Sequence, residues 1–340
     1  MIALRGKERA FDLPALDKGS NGAFIKGEKE KMVRILGIGD AKMDKNITDM
    51  VAYPGGQALN IAVNAKLQGA QAGFIGCIGD DALGRHLAKT LDELGVDRSR
   101  SHIVHAQNAA TKYQVIGGER VWGGTQPRPI SPLQMAIRFM LPYYGLSGED
   151  MAYIKTFDAV HLCNTAHMDE FLPRLKEAGV VLSYDYSNDH LQPGFMERVA
   201  PYLDVSLFSG SRMTETQMME GLVKAHTLGT RIAIATNGDE GAVLYDGDRF
   251  YAQKPDPCDA LDTMGAGDAF ISAFLVDFVG SGGLSVRTGA QREEKIRHGL
   301  AYAASWAAKA CMTPGAFGHG CKIDKEDEPF QQPARCLADR

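Results

Sequence analysis

Apolar and polar positions follow two periods along the chain, one typical of buried strands and the other of amphipathic helices. The runs that predict strands are 34–39, 73–78, 159–163, 180–184, 205–208 and 231–235. The stretches that predict helices are 58–67, 82–94, 169–178, 214–228 and a buried helix from Ala269 that carries Phe270, Phe274 and Phe278. Strands that alternate with helices predict an α/β fold, in which a mainly parallel sheet is covered on both faces.

Four segments depart from this alternation. Residues 1–31 show no periodicity and are interpreted as an extension, and the chain over 32–320 is long enough for either two domains or one large α/β domain with small insertions. Residues 103–122 carry short β-like pieces separated by glycines and predict a small β insertion. The stretch 123–146 is rich in Gly, Pro and aromatic residues and predicts a loop with one short helix around 133–139. The polar residues 321–340 predict a frayed tail.

Composition narrows the classes of protein. The 340 residues are 44% hydrophobic and 23% charged, which is ordinary for a globular chain. A net charge of −5 gives no overall basic field, so we expect no nucleic-acid partner. The chain has no apolar run long enough to cross a membrane and no export signal among its first residues, so we expect a cytoplasmic protein. The six cysteines form no C-x-x-C pair, which favours reduced thiols over a zinc site.

The segment Asp262-Thr-Met-Gly-Ala-Gly-Asp268 predicts a glycine turn that opens a buried helix. Small residues at Gly265, Ala266 and Gly267 let a phosphate approach the backbone, where the free amides of a first helical turn favour negative charge. A carboxylate inside such an anion hole suits a base that takes a proton from an attacking hydroxyl. The alternative is that Asp268 only favours the helix N-terminus, as acidic residues there commonly do.

A second glycine segment, Tyr53-Pro-Gly-Gly-Gln-Ala-Leu-Asn60, precedes the helix 58–67. Gln57 and Asn60 lie one turn apart and are able to hydrogen-bond polyol hydroxyls, although the segment is also explained as an ordinary junction between loop and helix. Upstream, Gly39-Asp-Ala-Lys-Met-Asp44 ends the first strand with two carboxylates, Asp40 and Asp44, in a predicted loop. Each is either a solvated surface acid or a ligand, since the end of a first strand is a favoured ligand position. A third segment, Thr236-Asn-Gly-Asp-Glu-Gly241, predicts either a hairpin turn or a glycine loop beside a nucleotide.

Together these segments resemble the ribokinase/PfkB family of carbohydrate kinases over about residues 33–318, and Asp262–Asp268 matches the DTxGAGD signature of that family. The resemblance implies a ribokinase-like three-layer αβα sandwich with a small β lid, formed here by about 45–54 and 103–122. It implies an ATP-dependent kinase for a sugar-like hydroxyl, with Asp268 as the catalytic base and Gly265, Ala266 and Gly267 as the anion hole.

The resemblance also places the ligands. It implies a sugar site formed by Asp44, Gly55, Gly56, Gln57 and Asn60. It implies an ATP site lined by Thr236, Gly238 and Gly241, with Mg²⁺ bound to the nucleotide and K⁺ near Asp262 as in several relatives. The Asn of the family's N-x-x-E pattern is missing from Ser209-Gly-Ser-Arg-Met-Thr-Glu215, so a metal-organising role for Glu215 lacks its usual partner.

Within the family, the runs around His161, His167, Asp185 and Asp204 are similar to kinases of fructosamines such as fructoselysine. His167 and Asp185 are therefore candidate substrate contacts, with satisfied polar groups of the core as the alternative. A nucleoside or polyol kinase, and a sugar-binding sensor without catalysis, stay open as other functions. By analogy with the family, the lid is also expected to form a homodimer surface.

Overall fold

The structure is a computed structural model that describes residues 32–116, 119–123 and 141–324. The predicted extension over 1–31, the short helix around 133–139 and residues 325–340 of the tail lie outside the described residues. Among the described residues, no helix is both long and apolar enough to cross a membrane.

Fourteen strands and eight helices make up the described part of the chain, numbered here in chain order. The strands are β1 Arg34–Gly39, β2 Lys42–Asn46, β3 Val51–Gly55, β4 Gln71–Gly79, β5 His102–Val104, β6 Ala109–Ile116, β7 Glu119–Trp122, β8 Ala159–Cys163, β9 Val181–Asp185, β10 Val205–Ser209, β11 Ile232–Thr236, β12 Ala242–Tyr245, β13 Phe250–Gln253 and β14 Cys321–Lys322. The helices are α1 Gln57–Leu67, α2 Ala82–Leu94, α3 Gly148–Ile154, α4 Leu172–Glu177, α5 Phe195–Val199, α6 Glu215–Thr227, α7 Ala266–Gly280 and α8 Ala290–Cys311.

The large sheet has nine strands in the order β5-β4-β1-β8-β9-β10-β11-β12-β13. Its strands are parallel from β5 to β11, and β12 and β13 continue it antiparallel as a hairpin. After β1 the chain moves to β4 on one side and later returns to β8 on the other. The strand order therefore reverses beside β1, and such a switch point opens a crevice at the carboxyl ends of the strands.

Helices cover both faces of the large sheet, which confirms the three-layer α/β fold. Alternate residues of β1 point to opposite sides, so that Ile35 packs in one apolar cluster and Leu36 in the other. Helices α7 and α8 belong to the cluster of Ile35, and α2, α3, α4 and α6 belong to the cluster of Leu36. Helix α1 contributes to both and stands at the switch point.

A second, smaller sheet, called the small sheet below, has the order β14-β3-β2-β6-β7. Its strand β2 pairs antiparallel with β3 and parallel with β6. The small sheet differs at three places from the lid that was predicted over about 45–54 and 103–122. His102–Val104 pairs with β4 in the large sheet, β2 begins at Lys42 rather than 45, and Cys321–Lys322 of the predicted tail pairs with β3.

One predicted helix is shorter than the pattern indicated. Residues Asp169–Phe171 form a 3₁₀ turn, and α4 begins only at Leu172, with Pro173 in its first turn. Proline has no amide hydrogen, so it fits the first turn of a helix and not its interior. The predicted helix 169–178 therefore divides at this point.

Candidate active site

The turn before α7 has the conformation that its glycines predict. Gly265 is the N-cap residue with φ of 72°, and the helix starts at Ala266. Gly265 is packed closely against another loop, because a Cβ there would lie 2.7 Å from the Cβ and 3.1 Å from the Cα of Ala316. A Cβ on Gly267 would meet nothing within 4 Å. Since the amides of a first helical turn have no acceptor within the helix, this turn offers donors beside open space.

Asp268 lies in this first turn and is buried, with 8% of its surface exposed. Its Oδ2 accepts a hydrogen bond of 2.7 Å from Nδ2 of Asn60 in α1. The other amide atom of Asn60, Oδ1, is buried and accepts no hydrogen bond from the described residues. Asn60, which was predicted as a sugar contact, fixes the carboxylate of Asp268 in the structure.

Burial raises the pKa of Asp268 from 3.8 to about 8. The hydrogen bond from Asn60 lowers it, Asp185 and Asp40 raise it, and Lys42 lowers it again. A pKa in this range makes the carboxylate a far better proton acceptor than an exposed aspartate.

Polar side chains from three parallel strands meet beside Asp268. Asp40 follows β1 directly, and its Oδ1 accepts a bond of 3.4 Å from the amide of Ala58 at the start of α1. Asp185 ends β9, and its Oδ2 accepts a bond of 3.1 Å from Nε2 of Gln57. Gln57 Oε1 in turn accepts a bond of 3.1 Å from Thr165, which follows β8. The predicted contact Gln57 therefore links the ends of two strands.

Asp185 is buried, and burial raises its pKa to about 6. The Ser187 amide and Gln57 lower this pKa, whereas Asp40 raises it. Because these carboxylates repel one another, the site favours the binding of protons, of cationic groups and of hydroxyl groups that donate hydrogen bonds.

The small sheet closes one side of this cluster. Asp44 of β2 is buried, and its Oδ1 accepts a hydrogen bond from the Thr111 hydroxyl of β6 and lies 3.8 Å from Nζ of Lys42. A cavity of about 140 Å³ opens between this sheet and the end of β1. Its lining includes Asp40, Lys42, Thr111 and Thr165.

The two glycines before α1 are required by close packing. A Cβ on Gly55 would lie 2.4 Å from Oδ2 of Asp44. Gly56 has φ of 120°, and a Cβ there would lie 2.4 Å from the carbonyl oxygen of Asp40. Both predicted residues therefore shape the site by leaving room for a carboxylate or a backbone oxygen.

Gly55→Ala tests this packing. We expect the variant to lose about 1–3 kcal/mol of unfolding free energy, because the new methyl group must displace the Asp44 carboxylate. Gly148→Ala is the control, since a Cβ on Gly148 would meet nothing within 4 Å. Urea unfolding of both variants measures the effect. Equal stability of the two would contradict the position of Asp44.

Asp262, the predicted potassium ligand, holds the loop before the glycine turn. Its Oδ1 accepts a bond of 2.9 Å from the amide of Met264, and its Oδ2 one of 2.8 Å from Gly315. The guanidinium of Arg120 in β7 also pairs with Oδ1, which connects the small sheet to the glycine turn. The carboxylate thus faces an arginine, and a potassium ion there would have to share or displace that partner.

Thr236, Gly238 and Gly241, predicted for the nucleotide, form the connection between β11 and β12. The Asn237 amide donates to the Gly241 carbonyl over 2.8 Å, which closes the turn. Thr236 ends β11 at the same carboxyl edge as Asp185, and its carbonyl accepts from the Gly210 amide over 2.7 Å. The connection is therefore an antiparallel hairpin, and it lies at the edge where ligands of such sheets bind.

The two remaining predicted residues differ in position. His167 is exposed, and its backbone is in the left-handed region with φ of 54°. It directly follows the 3₁₀ turn Asn164–Ala166, of which Thr165 and Ala166 line the cavity. Glu215 is exposed in the first turn of α6, whose capping box is formed by Thr214 and Gln217. Among the described residues no three His, Cys, Asp or Glu side chains are grouped so as to hold a metal ion.

Three residues of the site were missed as candidates from the sequence: Lys42, Thr111 and Thr165. Thr165 follows a buried strand, so the signal that singled out Asp40 at the end of the first strand was available for it as well, because ligands favour the carboxyl ends of parallel strands. Thr111 and Lys42 belong to the small sheet, and only the pairing of β2 with β6 brings them together.

The fold and the site define a phosphotransferase of the sugar-kinase class, with a glycine turn at a helix N-terminus, a buried carboxylate in that turn and a polar crevice at the strand ends. Residues 30–310 match the family described as pfkB family carbohydrate kinase. The chain therefore belongs to the PfkB family of carbohydrate kinases. It is a sugar or fructosamine kinase of that family, as the match of Asp262–Asp268 to the family signature predicted.

Two relatives carry more specific names. Fructosamine kinase FrlD of Bacillus subtilis strain 168 is 31% identical over 312 residues, which cover 90% of this chain and 100% of the relative. Fructoselysine 6-kinase of Escherichia coli K12 is 32% identical over 245 residues, covering 72% of this chain and 88% of the relative.

Solved structures support the fold. A fructokinase double mutant from Vibrio cholerae O395, crystallised in a fructose, ADP and potassium ion bound form, aligns with a TM-score of 0.64 and 20% identity. The alignment covers 85% of this chain and 96% of that chain.

Proposed function

We propose that this kinase transfers the γ-phosphoryl group of ATP to a hydroxyl of a fructosamine, with Asp268 as the base. The observation that carries the proposal is the position of Asp268, a buried carboxylate in the first turn of α7. The Ala266 amide of that turn donates to the Thr263 carbonyl over 3.3 Å, and the amides after it lack an acceptor within the helix and can bind phosphate oxygens. A carboxylate that served only to favour the helix N-terminus would gain nothing from burial or from the hydrogen bond to Asn60.

The proton transfer follows from the contacts of Asp268. Asn60 holds Oδ2, and no other hydrogen bond reaches this carboxylate within the described part of the chain. The acceptor hydroxyl donates its proton to the carboxylate while its oxygen forms a bond to the γ-phosphorus. The bond between that phosphorus and the bridging oxygen of ADP breaks in the same step, so that the products are ADP and a phosphate monoester.

The glycine turn stabilises the negative charge of the transferred phosphoryl group. Negative charge on the transferred group lies next to the amides of the first turn of α7, where the helix dipole favours it. The open space at Gly267 is compatible with a phosphate at this place. We assign the nucleotide end of the crevice to the β11–β12 hairpin with Thr236, Gly238 and Gly241.

Mg²⁺ fits this arrangement as a companion of the nucleotide. Mg²⁺ bound with ATP would neutralise phosphate charge and be held largely by phosphate oxygens and water. The exposed Glu215 is the nearest match to the family's metal-organising residue, without its usual Asn. Potassium near Asp262 stays a prediction, as does a homodimer through the small sheet, whose strand β6 exposes Val115 and Ile116.

The choice of acceptor rests on the relatives and on the charge of the site. Both curated relatives described above are named for fructosamine substrates. Asp40 lines the cavity, and Asp44 lies next to its lining residues Lys42 and Thr111. Carboxylates accept hydrogen bonds from sugar hydroxyls and attract a protonated amine. Asp44 and Asp40 are the residues that we assign to the acceptor.

A panel of acceptors tests the proposal. ADP release is measured with fructoselysine, fructose, ribose and a nucleoside at equal ATP and Mg²⁺ concentrations. We expect the highest kcat/KM for fructoselysine. A preference for the nucleoside would support a nucleoside kinase instead, and binding of sugars without ADP formation would support a sensor.

A further inference from the structure

Two buried hydrogen bonds join helices α1 and α7. In the first, Nδ2 of Asn60 donates to Oδ2 of Asp268 over 2.7 Å. In the second, the hydroxyl of Ser272 in α7 donates to the backbone carbonyl oxygen of Ile61 in α1 over 3.0 Å. Ser272 lies one helical turn after Asp268, so the two bonds hold adjacent parts of the same helix contact.

The hydroxyl of Ser272 is unusual for its surroundings. The residue is 0% exposed, and its neighbours Ile271 and Ala273 are buried apolar residues. A serine inside a helix commonly bonds a carbonyl in the preceding turn of its own helix, whereas Ser272 donates across to α1. Alanine would fill nearly the same space and is a better helix former, so packing alone does not call for a serine here.

The other contacts between these helices are apolar. Ile61 and Ala65 of α1 and Ile271 and Leu275 of α7 belong to one apolar cluster. The hydrophobic effect has no direction, whereas a hydrogen bond needs its donor and acceptor at a defined distance and angle. The bond from Ser272 therefore specifies how far along α1 the helix α7 lies.

This register decides where the base and the glycine turn lie. Nδ2 of Asn60, which holds Asp268, would also lie 3.4 Å from a Cβ on Gly265 in the turn. A shift of α7 along α1 would thus move both the carboxylate and the turn away from Asn60. Displacements of about 1 Å are enough to cost an enzyme about 10²-fold in rate.

We propose that Ser272 is a positioning residue of the phosphoryl transfer: its bond to the Ile61 carbonyl fixes α7 on α1, so that Asn60 holds Asp268 at the acceptor hydroxyl. The inference rests on the proposed function of Asp268 as the base. Ser272 acts through these helices and needs no contact with either substrate.

Ser272→Ala tests the role through kcat with the best acceptor of the panel above. We expect kcat to fall about tenfold, with the KM for ATP and the melting temperature little changed, because alanine keeps the volume and the helix. Unchanged kcat would overturn the inference.

Trp306→Phe is the matched control. Nε1 of Trp306 in α8 donates to Oδ1 of Asn64 over 2.9 Å, an interhelix bond of nearly the same length that lies farther along α1 from Asp268. Its loss is expected to lower the melting temperature and to leave kcat at the wild-type value. An equal fall of kcat in Trp306→Phe and Ser272→Ala would reveal a general effect of helix packing and would overturn the inference.

The dependence on Asp268 is tested in a double variant. Without the base there is nothing left to position, so adding Ser272→Ala to Asp268→Asn is expected to leave the residual kcat of Asp268→Asn unchanged. A further tenfold loss in the double variant would contradict a role through Asp268.

A measurement without substrate separates this inference from the proposed function. Melting temperatures of the wild type, both single variants and the double variant are compared at pH 9.5, where the Asp268 carboxylate is ionised because its pKa is about 8. In Ser272→Ala the carboxylate is held less well by Asn60, so the gain from Asp268→Asn is expected to be larger there than in the wild type, by about 1 °C or more.

Equal gains in the two backgrounds would overturn the positioning role whatever the activity of the variants. Unequal gains together with full turnover of Asp268→Asn would instead refute Asp268 as the base, and with it the catalytic part of the inference. If Ser272→Ala does not fold, Ser272→Cys replaces it in each experiment, since a thiol is a weak donor of similar size.

Discussion

Asp268→Asn is expected to lower kcat by about 10²–10⁴-fold while the protein stays folded and binds ATP, because a positioned base contributes rate accelerations of that size. The amide has nearly the shape of the carboxylate, and its NH₂ group can donate to the buried Oδ1 of Asn60 after a small rearrangement. Steady-state ADP release at saturating fructoselysine measures the effect.

The same variant is expected to be more stable than the wild type. The pKa of Asp268 is raised from 3.8 to about 8, so the folded state loses stability as the pH rises from about 3.8 to about 8. An asparagine does not ionise and avoids this loss. At pH 8 we expect a melting temperature higher by several degrees, equivalent to a few kcal/mol, with no such gain near pH 4.

Asp248→Asn is the matched control for Asp268→Asn. Asp248 lies in the turn between β12 and β13, and its side chain is 81% exposed. Removing that charge is expected to change neither kcat nor the melting temperature appreciably. If Asp268→Asn kept the turnover of this control, Asp268 would not be the base.

Asp44→Asn is expected to raise the KM for the acceptor about 10–100-fold, with little change in the KM for ATP. A hydrogen bond to a charged group contributes about 1.5–3 kcal/mol, and the amide would also turn an NH₂ group toward donors. Those donors are the hydroxyl of Thr111 and the ammonium of Lys42. Initial rates with each substrate varied in turn give both constants.

The control for Asp44 lies in the same hairpin. Asp49 is exposed, and its carboxylate accepts a hydrogen bond of 2.8 Å from Asn46 within the turn. Asp49→Asn is expected to leave both KM values unchanged. A rise in the KM for ATP that matched the rise for the acceptor would remove Asp44 from the acceptor site.

The glycine turn and its helix were predictable because their signal is local. Gly265, Gly267 and Asp268 stand within four positions, and a turn followed by an apolar helix needs little tertiary context. The large parallel sheet was equally predictable, since each buried strand is a continuous apolar run bounded by polar or glycine residues.

The partners of Asp268 were not predictable in this way. Asn60 lies 208 positions from Asp268, and their hydrogen bond exists only because α1 and α7 pack on the same face of the large sheet. Lys42 and Thr111 come together through the parallel pairing of β2 and β6, two strands separated by more than sixty positions. Such pairings depend on the whole fold, so one sequence without its structure gives no signal for them.

The extent of the lid was mispredicted for a related reason. The segment His102–Val104 has the short β-like character of the insertion that follows it, but it continues the large sheet beside β4. The hydrophobic period and the composition of a short edge strand are the same whichever of the two sheets it joins. Only its pairing in the folded protein shows which sheet that is.

The most direct test of the account is a phosphorus-31 NMR spectrum of the wild type with ATP, Mg²⁺ and fructoselysine. The account predicts that the γ-phosphate signal of ATP is replaced in equal amount by a phosphate monoester signal as ADP appears, and that Asp268→Asn under the same conditions leaves the ATP signals almost unchanged. Intact ATP in the wild-type sample, or inorganic phosphate in place of the monoester, would contradict it.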